Sequence, residues 1–396
     1  MFLVCEPIAL GLEHVPFNAS LLRVIRHAFP DDRILFFGQE SHVREVKIAT
    51  GQNYADSINW ASFDLPPRHS GFFARLSSDF RNVKSVMGRI NEKSSRNVLV
   101  ITGNASILWA LKFYACTTHK DKKVQVIIHE DFSKFRYRAA LKHHLNPFYH
   151  LGSLKTALRI SRHQHIQHIV LEESVRTAVV EEVPSLGNRI HVLNHPVNEY
   201  EQTVDVNELS LPIEFGFFGR ATRRKGFDKY LKVASEISKR FPGLARFHLI
   251  GRIVNGNEFT ENELSVLSEE PKAVRISRNE YVNRLKKIHF VCLFYDKYYE
   301  FFASGVLMDC VAWEKPFISS ELPIFKNLHD KFGDIGYLCE CNEFTSTISS
   351  IVQNNDVRRY QHQVSNIRSV KISRTPEALA VKYRELVDSL QNSDIL

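Results

Sequence analysis

A short loop of this sequence carries cations at a spacing that suits the binding of a phosphate group. The segment reads Phe217-Phe-Gly-Arg-Ala-Thr-Arg-Arg-Lys-Gly226, and its first residues end an apolar run that predicts a buried strand. Arg220 and Lys225 flank the loop, and Gly226 opens a predicted helix. A diphosphate there would meet an arginine fork, a lysine ammonium and the free N–H groups of a helix N-terminus. Because two further arginines lie in the loop, an exposed basic turn is the alternative interpretation.

A second segment, further along the chain, carries groups that suit the rest of a nucleotide. Ser304 and Gly305 can begin a helix whose free N–H groups face a phosphate. Asp309 lies just over one turn further on, where its carboxylate could accept hydrogen bonds from ribose hydroxyls. Glu300 lies in the preceding loop, where it could reach a sugar. The alternatives are a solvated helix carboxylate at Asp309 and an ordinary loop charge at Glu300.

Together the two segments resemble the donor-binding domain of GT-B glycosyltransferases, in particular the retaining family 4 group. That family carries Gly-Arg-x-x-x-x-Lys-Gly after the first strand of its second domain, and 219–226 keeps this spacing. It also carries Glu-x7-Glu followed by Ala-x-x-x-Gly-Lys-Pro, whose latter part matches 309–316. The resemblance implies that Arg220, Lys225, Ser304 and Gly305 bind the diphosphate of a nucleotide-sugar.

The second motif departs from the family pattern at three positions. Asp309 replaces the second Glu, and Glu314 replaces the Gly before Lys-Pro. The position eight before Asp309 is Phe301, with Glu300 one residue earlier. A one-residue shift would restore Glu300 to the donor-sugar role, and without such a shift that role is changed or lost. The resemblance also assigns the ribose to Asp309, and we expect the base against 275–279.

The resemblance extends to the N-terminal half. The strand 124–128 followed by His129 is similar to the family strand whose final His approaches the donor sugar, although a packed strand-end histidine is the alternative. Gly11 follows the first strand, where family members place a Gly near the donor phosphates. His14 lies in the same loop and could contact donor or acceptor, with a packing role as the alternative.

Alternating strand and helix patterns along the whole chain predict two doubly wound, Rossmann-like α/β domains in tandem. Residues 51–70 are expected to be irregular, and the last helices are expected near 343–353 and 376–390. In such sheets ligands bind at the carboxyl ends of the strands, so the cleft between two facing sheets is the expected active site. The predicted division is an acceptor domain 1–197, a linker 198–212, a donor domain 213–375 and, by resemblance, a crossover helix 376–396.

Net charge points to a second binding property. The 396 residues carry a net charge of +8, and residues 1–197, with 25 basic and 17 acidic side chains, hold all of it. Within that half, 132–171 contains no Asp or Glu and seven Lys or Arg. The favoured interpretation is that this stretch binds an anionic membrane surface carrying the acceptor. The alternative is a basic face that is only solvated. We expect no nucleic-acid partner, because no nucleic-acid module is evident.

Missing motifs narrow the class of enzyme. The sequence has no Asp-x-Asp for a metal, no Gly-x-Gly-x-x-Gly and no phosphate-binding P-loop motif. No metal or cofactor is expected, and scattered cysteines without a basic leader predict a cytoplasmic protein, peripheral on the inner face of the membrane. The expected function is a retaining, metal-independent glycosyltransferase with a glycan or lipid-linked acceptor, in cell-surface polysaccharide or glycoconjugate synthesis. The alternatives are a catalytically inactive GT-B scaffold and a sugar-nucleotide epimerase.

Overall fold

The computed structural model divides the chain into two compact units. The first contains Met1–Asn198, Phe301–Ala303 and Arg374–Leu396, and the second contains Glu199–Glu300 and Ser304–Ser373. The residues that the structure describes are 1–65, 71–89, 97–117, 123–129, 132, 135, 150–160, 165–198, 208–254, 258–271 and 276–392. The sequence pattern also predicts a helix over 133–145 and a strand over 274–276; most of these two segments and of the predicted linker lie outside the described residues.

The first unit is built on a seven-stranded parallel sheet. The order across it is β3-β2-β1-β4-β5-β6-β7, so the chain switches direction between β1 and β4. β1, β2 and β4 are short apolar runs, and β5 and β6 are fully buried although they include polar residues, as a parallel sheet between two helix layers requires burial on both faces. The strands are β1 (Phe2–Cys5), β2 (Ile34–Gly38), β3 (Ile58–Ser62), β4 (Asn97–Val100), β5 (Lys123–Ile127), β6 (Ile166–Val170) and β7 (Ile190–Val192).

Helices cover both faces of this sheet. Those between the strands are α1 (Val15–Ala28), α2 (Glu40–Thr50), α3 (Gln52–Ala55), α4 (Phe72–Gly88), α5 (Ala105–Thr117), α6 (Leu154–Ile160) and α7 (Glu173–Glu182). The C-terminal helix α15 (Pro376–Asn392) also belongs to this unit, where Tyr383 and Leu386 join the core beside α1. Just before α15, the buried Arg374 guanidinium donates to the buried Glu172 carboxylate at 2.8 Å.

The second unit is built on a five-stranded parallel sheet with the order β12-β11-β10-β8-β9. Its strands are β8 (Ile213–Ala221), β9 (Ala245–Ile253), β10 (Phe290–Leu293), β11 (Phe317–Ser320) and β12 (Gly336–Cys339). Its helices are α8 (Phe227–Arg240), α9 (Glu261–Leu264), α10 (Arg278–Lys287), α11 (Gly305–Ala312), α12 (Pro323–Phe332), α13 (Phe344–Asn354) and α14 (Val357–Ile372). The chain switches direction between β8 and β10, so their carboxyl ends form the expected ligand position.

The prediction of two doubly wound α/β sheets is confirmed, whereas the prediction for 51–70 is wrong and the helices α12 and α14 are not predicted. Residues 51–70 are not wholly irregular, because α3 and the edge strand β3 lie there; only one residue of β3 is fully buried, so the strand lacks an apolar run. Helix α14 was not predicted either, because its buried positions include a polar side chain, Gln363, which bonds Asp334 at 2.8 Å. None of the described helices is long and apolar enough to cross a membrane.

Glu314 stands where the motif that this segment resembles has a glycine, and its backbone conformation is one that glycine adopts readily. Its φ is +53°, in the left-handed region that disfavours a Cβ atom. The buried carboxylate accepts hydrogen bonds from Arg368 Nη2 at 2.8 Å and Lys371 Nζ at 3.1 Å, both on α14. Together with a third from Arg368 Nε at 3.0 Å, these charge-assisted bonds hold the turn between α11 and β11 against the backbone strain.

Two substitutions at this turn are expected to separate the strain from the ion pairs. Both Glu314→Ala and Glu314→Gly remove the bonds to Arg368 and Lys371, but only alanine keeps the left-handed strain. The alanine variant is therefore expected to be less stable than the glycine variant by about 1 kcal/mol in the free energy of unfolding. Urea denaturation followed by circular dichroism measures the difference, and an alanine variant at least as stable as glycine would contradict it.

Candidate active site

The loop after β8 is shaped by two glycines in the left-handed region. Strand β8 continues further than predicted, through Gly219 (φ +84°) to Ala221, because it stays paired with β9. A short 3-10 helix, Arg223–Lys225, then leads to Gly226 (φ +76°), the N-cap of α8. A Cβ atom on Gly226 would lie 2.0 Å from the carbonyl oxygen of Phe294, which immediately follows β10. Gly226 is thus required by the close approach of this loop to the end of β10, and Gly219 is favoured by its left-handed φ.

Lys225 and Arg220 bring two cations to the carboxyl end of this sheet. Lys225 Nζ lies 5.9 Å from the centre of the Tyr295 ring. A Cβ atom on Gly219 would lie 3.6 Å from the same Nζ atom. Burial, with a smaller contribution from the Arg220 charge, lowers the pKa of Lys225 to about 8. Arg220 itself is exposed. The two cations repel each other, so an anion bound here would relieve an unfavourable interaction.

Tyr295 connects this loop to the N-terminus of α11. Its ring faces Lys225, and its hydroxyl lies 3.0 Å from Ser304 Oγ. Ser304 is the N-cap of α11, and its Oγ accepts a hydrogen bond from Leu307 N at 3.2 Å. The next residue, Gly305, is exposed, and a Cβ atom placed on it would meet nothing within 4 Å. The structure therefore brings together the predicted diphosphate residues of the second unit beside a helix N-terminus.

Asp309 is bonded to two side chains of α10. Its Oδ1 accepts from Arg278 Nη2 at 2.9 Å, and its Oδ2 accepts from Tyr281 OH at 2.7 Å. Arg278 lies in the segment expected to contact a base, whereas Tyr281 was not predicted. Burial, followed by the charge of Asp309, raises the pKa of Tyr281 well above its usual range, so the phenol remains a donor. Glu300 is half-buried near the end of the 3-10 helix Lys297–Phe301.

Phe301, at the position of the first Glu in the motif that this segment resembles, belongs to the core of the first unit. Its ring stacks on Phe132 with centroids 5.7 Å apart and lies 5.5 Å from Phe135. Phe302 also contacts Phe132, at 6.2 Å between centroids. A carboxylate at 301 would be placed among aromatic rings, which explains why an apolar residue stands there.

In the first unit, a buried carboxylate organises the loop that follows β1. Glu6 is 0% exposed, and its Oε1 accepts from the backbone N–H groups of Ile8 and Ala9 at 3.0 and 3.1 Å. Its Oε2 accepts from Asn18 Nδ2 at 3.2 Å and from Thr102 Oγ1 at 2.7 Å. This network joins the ends of β1 and β4 at the switch point of the sheet, where ligands of doubly wound folds bind.

The Glu6 network holds the predicted residues His129 and Gly11. Thr102 Oγ1 lies 3.0 Å from His129 Nε2. Since the single hydroxyl proton of Thr102 goes to Glu6, the His129 contact requires a protonated Nε2 that donates. On the other side, Asn18 Nδ2 lies 2.8 Å from His42 Nε2, and His42 Nδ1 lies 2.9 Å from the Gly11 carbonyl oxygen.

His14 lies beside His129 in the same unit. The two imidazole centroids are 5.1 Å apart at 70°, and His14 has a left-handed φ of +51° as the N-cap residue of α1. Phe17 contacts His129 from α1 at 5.1 Å. The three predicted residues of the first unit, Gly11, His14 and His129, therefore lie around one switch point.

Sequence reasoning missed the residues that connect the predicted ones. Glu6 ends the apolar run of the first strand, and in the sequence it resembles a simple strand end, although a carboxylate beside a buried strand needs nearby donors. Thr102 ends another apolar run in the same way. Tyr295 and Tyr281 carried no distinguishable signal, because aromatic residues are common in the cores of such sheets.

Solved structures of glycosyltransferases resemble this chain over nearly its whole length. A glycosyltransferase from Rickettsia africae matches with a TM-score of 0.66 at 13% identity, covering 98% of both chains. Sucrose-phosphate synthase from Thermosynechococcus elongatus matches with a TM-score of 0.67 at 12% identity, covering 99% of both. HepE from Anabaena, in complex with UDP and glucose, matches with a TM-score of 0.65 at 12% identity, covering 98% of this chain and 99% of that one.

These similarities confirm the fold that the two motifs predict. The chain has the GT-B architecture of two tandem Rossmann-like sheets that the three glycosyltransferases share. No protein-family model and no curated protein matches the sequence.

Proposed function

We propose that this protein is a glycosyltransferase that moves a sugar from a nucleoside-diphosphate donor to a glycan or lipid-linked acceptor. The observation that carries the proposal is the arrangement of Arg220, Lys225 and the Ser304-Gly305 helix N-terminus at the switch point of the second sheet. These groups would stabilise the negative charge that develops on the departing diphosphate, with no metal required. HepE, a protein of the same fold, is seen with UDP-glucose, which supports a nucleotide-sugar donor.

The remaining predicted residues are proposed to act on the sugar, the ribose and the acceptor. His129 and Glu300 contact the donor sugar, Asp309 holds the ribose, and Gly11 approaches the diphosphate. His14 contacts donor or acceptor. The resemblance to retaining enzymes implies that the anomeric configuration is kept. Support for the role of His129 comes from the Glu6–Thr102 pair, which orients its imidazole.

The proposed cellular setting follows from the lipid-linked acceptor. We propose a cytoplasmic enzyme, peripheral on the inner face of the membrane, that contributes to cell-surface polysaccharide or glycoconjugate synthesis. The acid-free stretch 132–171 supports the membrane association through its charge.

Nucleotide binding and sugar transfer test the proposal in two stages. Thermal unfolding of the purified protein is measured with UDP, GDP and ADP, and at least one is expected to raise the midpoint because it binds only the folded chain. The matching sugar nucleotide is then incubated with glycan or lipid-linked acceptors, and products are analysed by mass spectrometry. Failure of every nucleoside diphosphate to stabilise the protein would overturn the donor site.

Nucleoside diphosphate affinity is expected to fall as the pH rises through about 8. The pKa of Lys225 is lowered to about 8, so its ammonium loses its proton above that pH. A bound diphosphate favours the charged ammonium, and binding therefore requires a protonated Lys225. Between about pH 7 and about pH 9 the dissociation constant is expected to rise about tenfold. Titration calorimetry measures it; Lys225→Arg should remove this rise, and an equal rise in that variant would contradict the assignment.

The role of Asp309 can be separated from its structural bonds by comparing two ligands. If Asp309 holds the ribose, Asp309→Ala is expected to weaken UDP binding about tenfold while leaving pyrophosphate binding unchanged. Tyr281→Phe removes one bond to the same carboxylate and serves as the structural control. Equal weakening for UDP and pyrophosphate would mean that Asp309 acts only by holding α10 and α11 together.

A catalytically inactive GT-B scaffold is the second candidate, and the burial of Phe301 in the first core favours it. With no carboxylate at that position, Glu300 is the one carboxylate proposed to contact the donor sugar, beside His129. A protein that binds nucleoside diphosphates without transferring, hydrolysing or epimerising any sugar nucleotide would support the scaffold. Epimerisation without transfer would instead identify a sugar-nucleotide epimerase.

A further inference from the structure

Three helices of the first unit form one continuous surface. Helix α5 lies between α4 and α6: Phe113 on α5 contacts Phe80 on α4 at 5.8 Å between centroids, and Lys112 Nζ donates to the carbonyl oxygen of Ile160 on α6 at 3.1 Å. None of the residues assigned to the candidate active site lies on these helices. The surface, which we call the α4–α5–α6 face, is thus separate from the proposed chemistry.

Large apolar side chains are exposed on this face. Phe73 is 61% exposed and Phe113 is 52% exposed, and Leu151 and Ile160 are exposed beside them. A groove of about 550 Å³ runs along α4, and it is lined by Phe73, Leu76, Ser77, Phe80, Arg81, Lys84 and Tyr114. Exposed apolar groups concentrated on one face, with cations among them, indicate an interaction surface.

The net charge of the three helices is positive. The three helices carry six basic side chains, Arg75, Arg81, Lys84, Lys112, Lys155 and Arg159. Their single acidic residue is Asp79, which is buried and accepts a hydrogen bond from Ser106. Lys155 is paired with Glu182 of a neighbouring helix, and the charge of Arg75 acts on Asp79, whereas Arg81 and Lys84 are exposed beside the groove.

We infer that the α4–α5–α6 face binds an anionic lipid bilayer. Lys and Arg near an anionic surface attract its head groups, and exposed Phe, Leu and Ile side chains enter the interface between head groups and acyl chains. A second copy of the chain is disfavoured as occupant, because a two-fold interface would bring like charges together. The inference rests on the proposed function for its biological sense, since a lipid-linked acceptor requires an enzyme at the membrane.

Vesicle flotation of the full-length protein tests this inference. The wild-type protein is expected to float with vesicles of phosphatidylcholine and phosphatidylglycerol at low salt, and to remain unbound with phosphatidylcholine alone. Arg81→Glu combined with Lys84→Glu is expected to lower the partition coefficient at least about 30-fold, since each cation contributes about a factor of five. Phe73→Ser combined with Phe113→Ser is expected to weaken binding at both low and high salt.

Helix α2 provides a matched control within the same unit. Arg44→Glu combined with Lys47→Glu makes the same change of charge on an exposed helix, and Ile48→Ser removes an apolar side chain that is 70% exposed. These variants are expected to float like the wild type. Equal loss in the α2 variants, or no wild-type flotation on anionic vesicles, would overturn the inference.

Two further measurements distinguish the other outcomes. Light scattering that shows a wild-type dimer, converted to a monomer by the Phe73 and Phe113 changes, would assign the face to a second copy and overturn membrane binding. Thermal stabilisation by UDP, GDP and ADP is measured on the same samples without lipid. Vesicle binding without stabilisation by any of the three would reject the proposed function alone, and stabilisation by at least one without vesicle binding would reject this inference alone.

Discussion

Removing both cations of the β8 loop is expected to weaken nucleoside diphosphate binding by at least about 100-fold. Each of Arg220 and Lys225 would make a hydrogen bond between charged groups, which contributes about 1.5–3 kcal/mol. Arg220→Ala combined with Lys225→Ala removes both bonds, so the loss is about 3–6 kcal/mol if the two contributions add. Titration calorimetry with the stabilising nucleotide measures the dissociation constant, and circular dichroism verifies that the variant is folded.

The same loop supplies a control of equal charge. Arg223 and Arg224 lie in the intervening 3-10 helix, where Arg223 Nη2 donates to the Glu258 carbonyl oxygen at 3.1 Å and Arg224 lies 5.1 Å from the Tyr298 ring centre. Their replacement by alanine is expected to change the affinity less than about threefold, because exposed charges at a distance are screened. Equal weakening by both pairs would mean that the loop is only an exposed basic turn.

In the second unit, the residues that the sequence predicts are those that backbone geometry and ligand chemistry both require. Gly226 must lack a side chain because Phe294 is against it, and Lys225 must be basic if a diphosphate binds there. Short motifs of this kind are visible in one sequence because several local constraints act on adjacent positions. The strand-helix alternation is visible for the same reason, since buried parallel strands are continuous apolar runs.

What the sequence could not predict depends on partners far along the chain. Glu314 adopts a left-handed conformation in place of a glycine because Arg368 and Lys371, more than 50 residues later, hold its carboxylate. Tyr295 links Lys225 to Ser304 only after three separate segments have met. Such pairs have no spacing of their own in the sequence, so neither composition nor periodicity reveals them.

The structure gives a different explanation for Phe301, which stands where the motif that this segment resembles has a Glu. In the sequence, Phe301 is an altered catalytic position, and its apolar side chain weakens the case for an enzyme. In the structure, its ring fills a place between Phe132 and Phe135 in the first core, so its chemistry is that of packing. The mismatch at 301 is therefore explained by packing in the core. A carboxylate of this motif that contacts the donor sugar would have to be Glu300.

Replacing Glu6 is expected to have the largest effect on stability of any single substitution considered for the first unit. Its carboxylate is 0% exposed and accepts four hydrogen bonds, two from backbone N–H groups and two from the side chains of Asn18 and Thr102. Glu6→Ala leaves these buried donors without an acceptor, and the free energy of unfolding is expected to fall by about 3–5 kcal/mol. Urea denaturation measures it, and the tryptophans Trp60 and Trp109 report on this unit.

Thr102→Val is the matched change at the edge of the same network. It removes the hydroxyl between Glu6 and His129 but keeps the shape of the side chain, so stability is expected to fall by only about 1 kcal/mol. Nucleoside diphosphate affinity should stay unchanged because the cations that bind the nucleotide lie in the second unit, whereas sugar transfer should slow because His129 loses its orienting partner.

Two outcomes would contradict these predictions. A Glu6→Ala variant as stable as the wild type would show that the network does not hold the β1 loop. An unchanged transfer rate in Thr102→Val would remove His129 orientation from the mechanism, and the imidazole beside His14 would then be explained by packing alone.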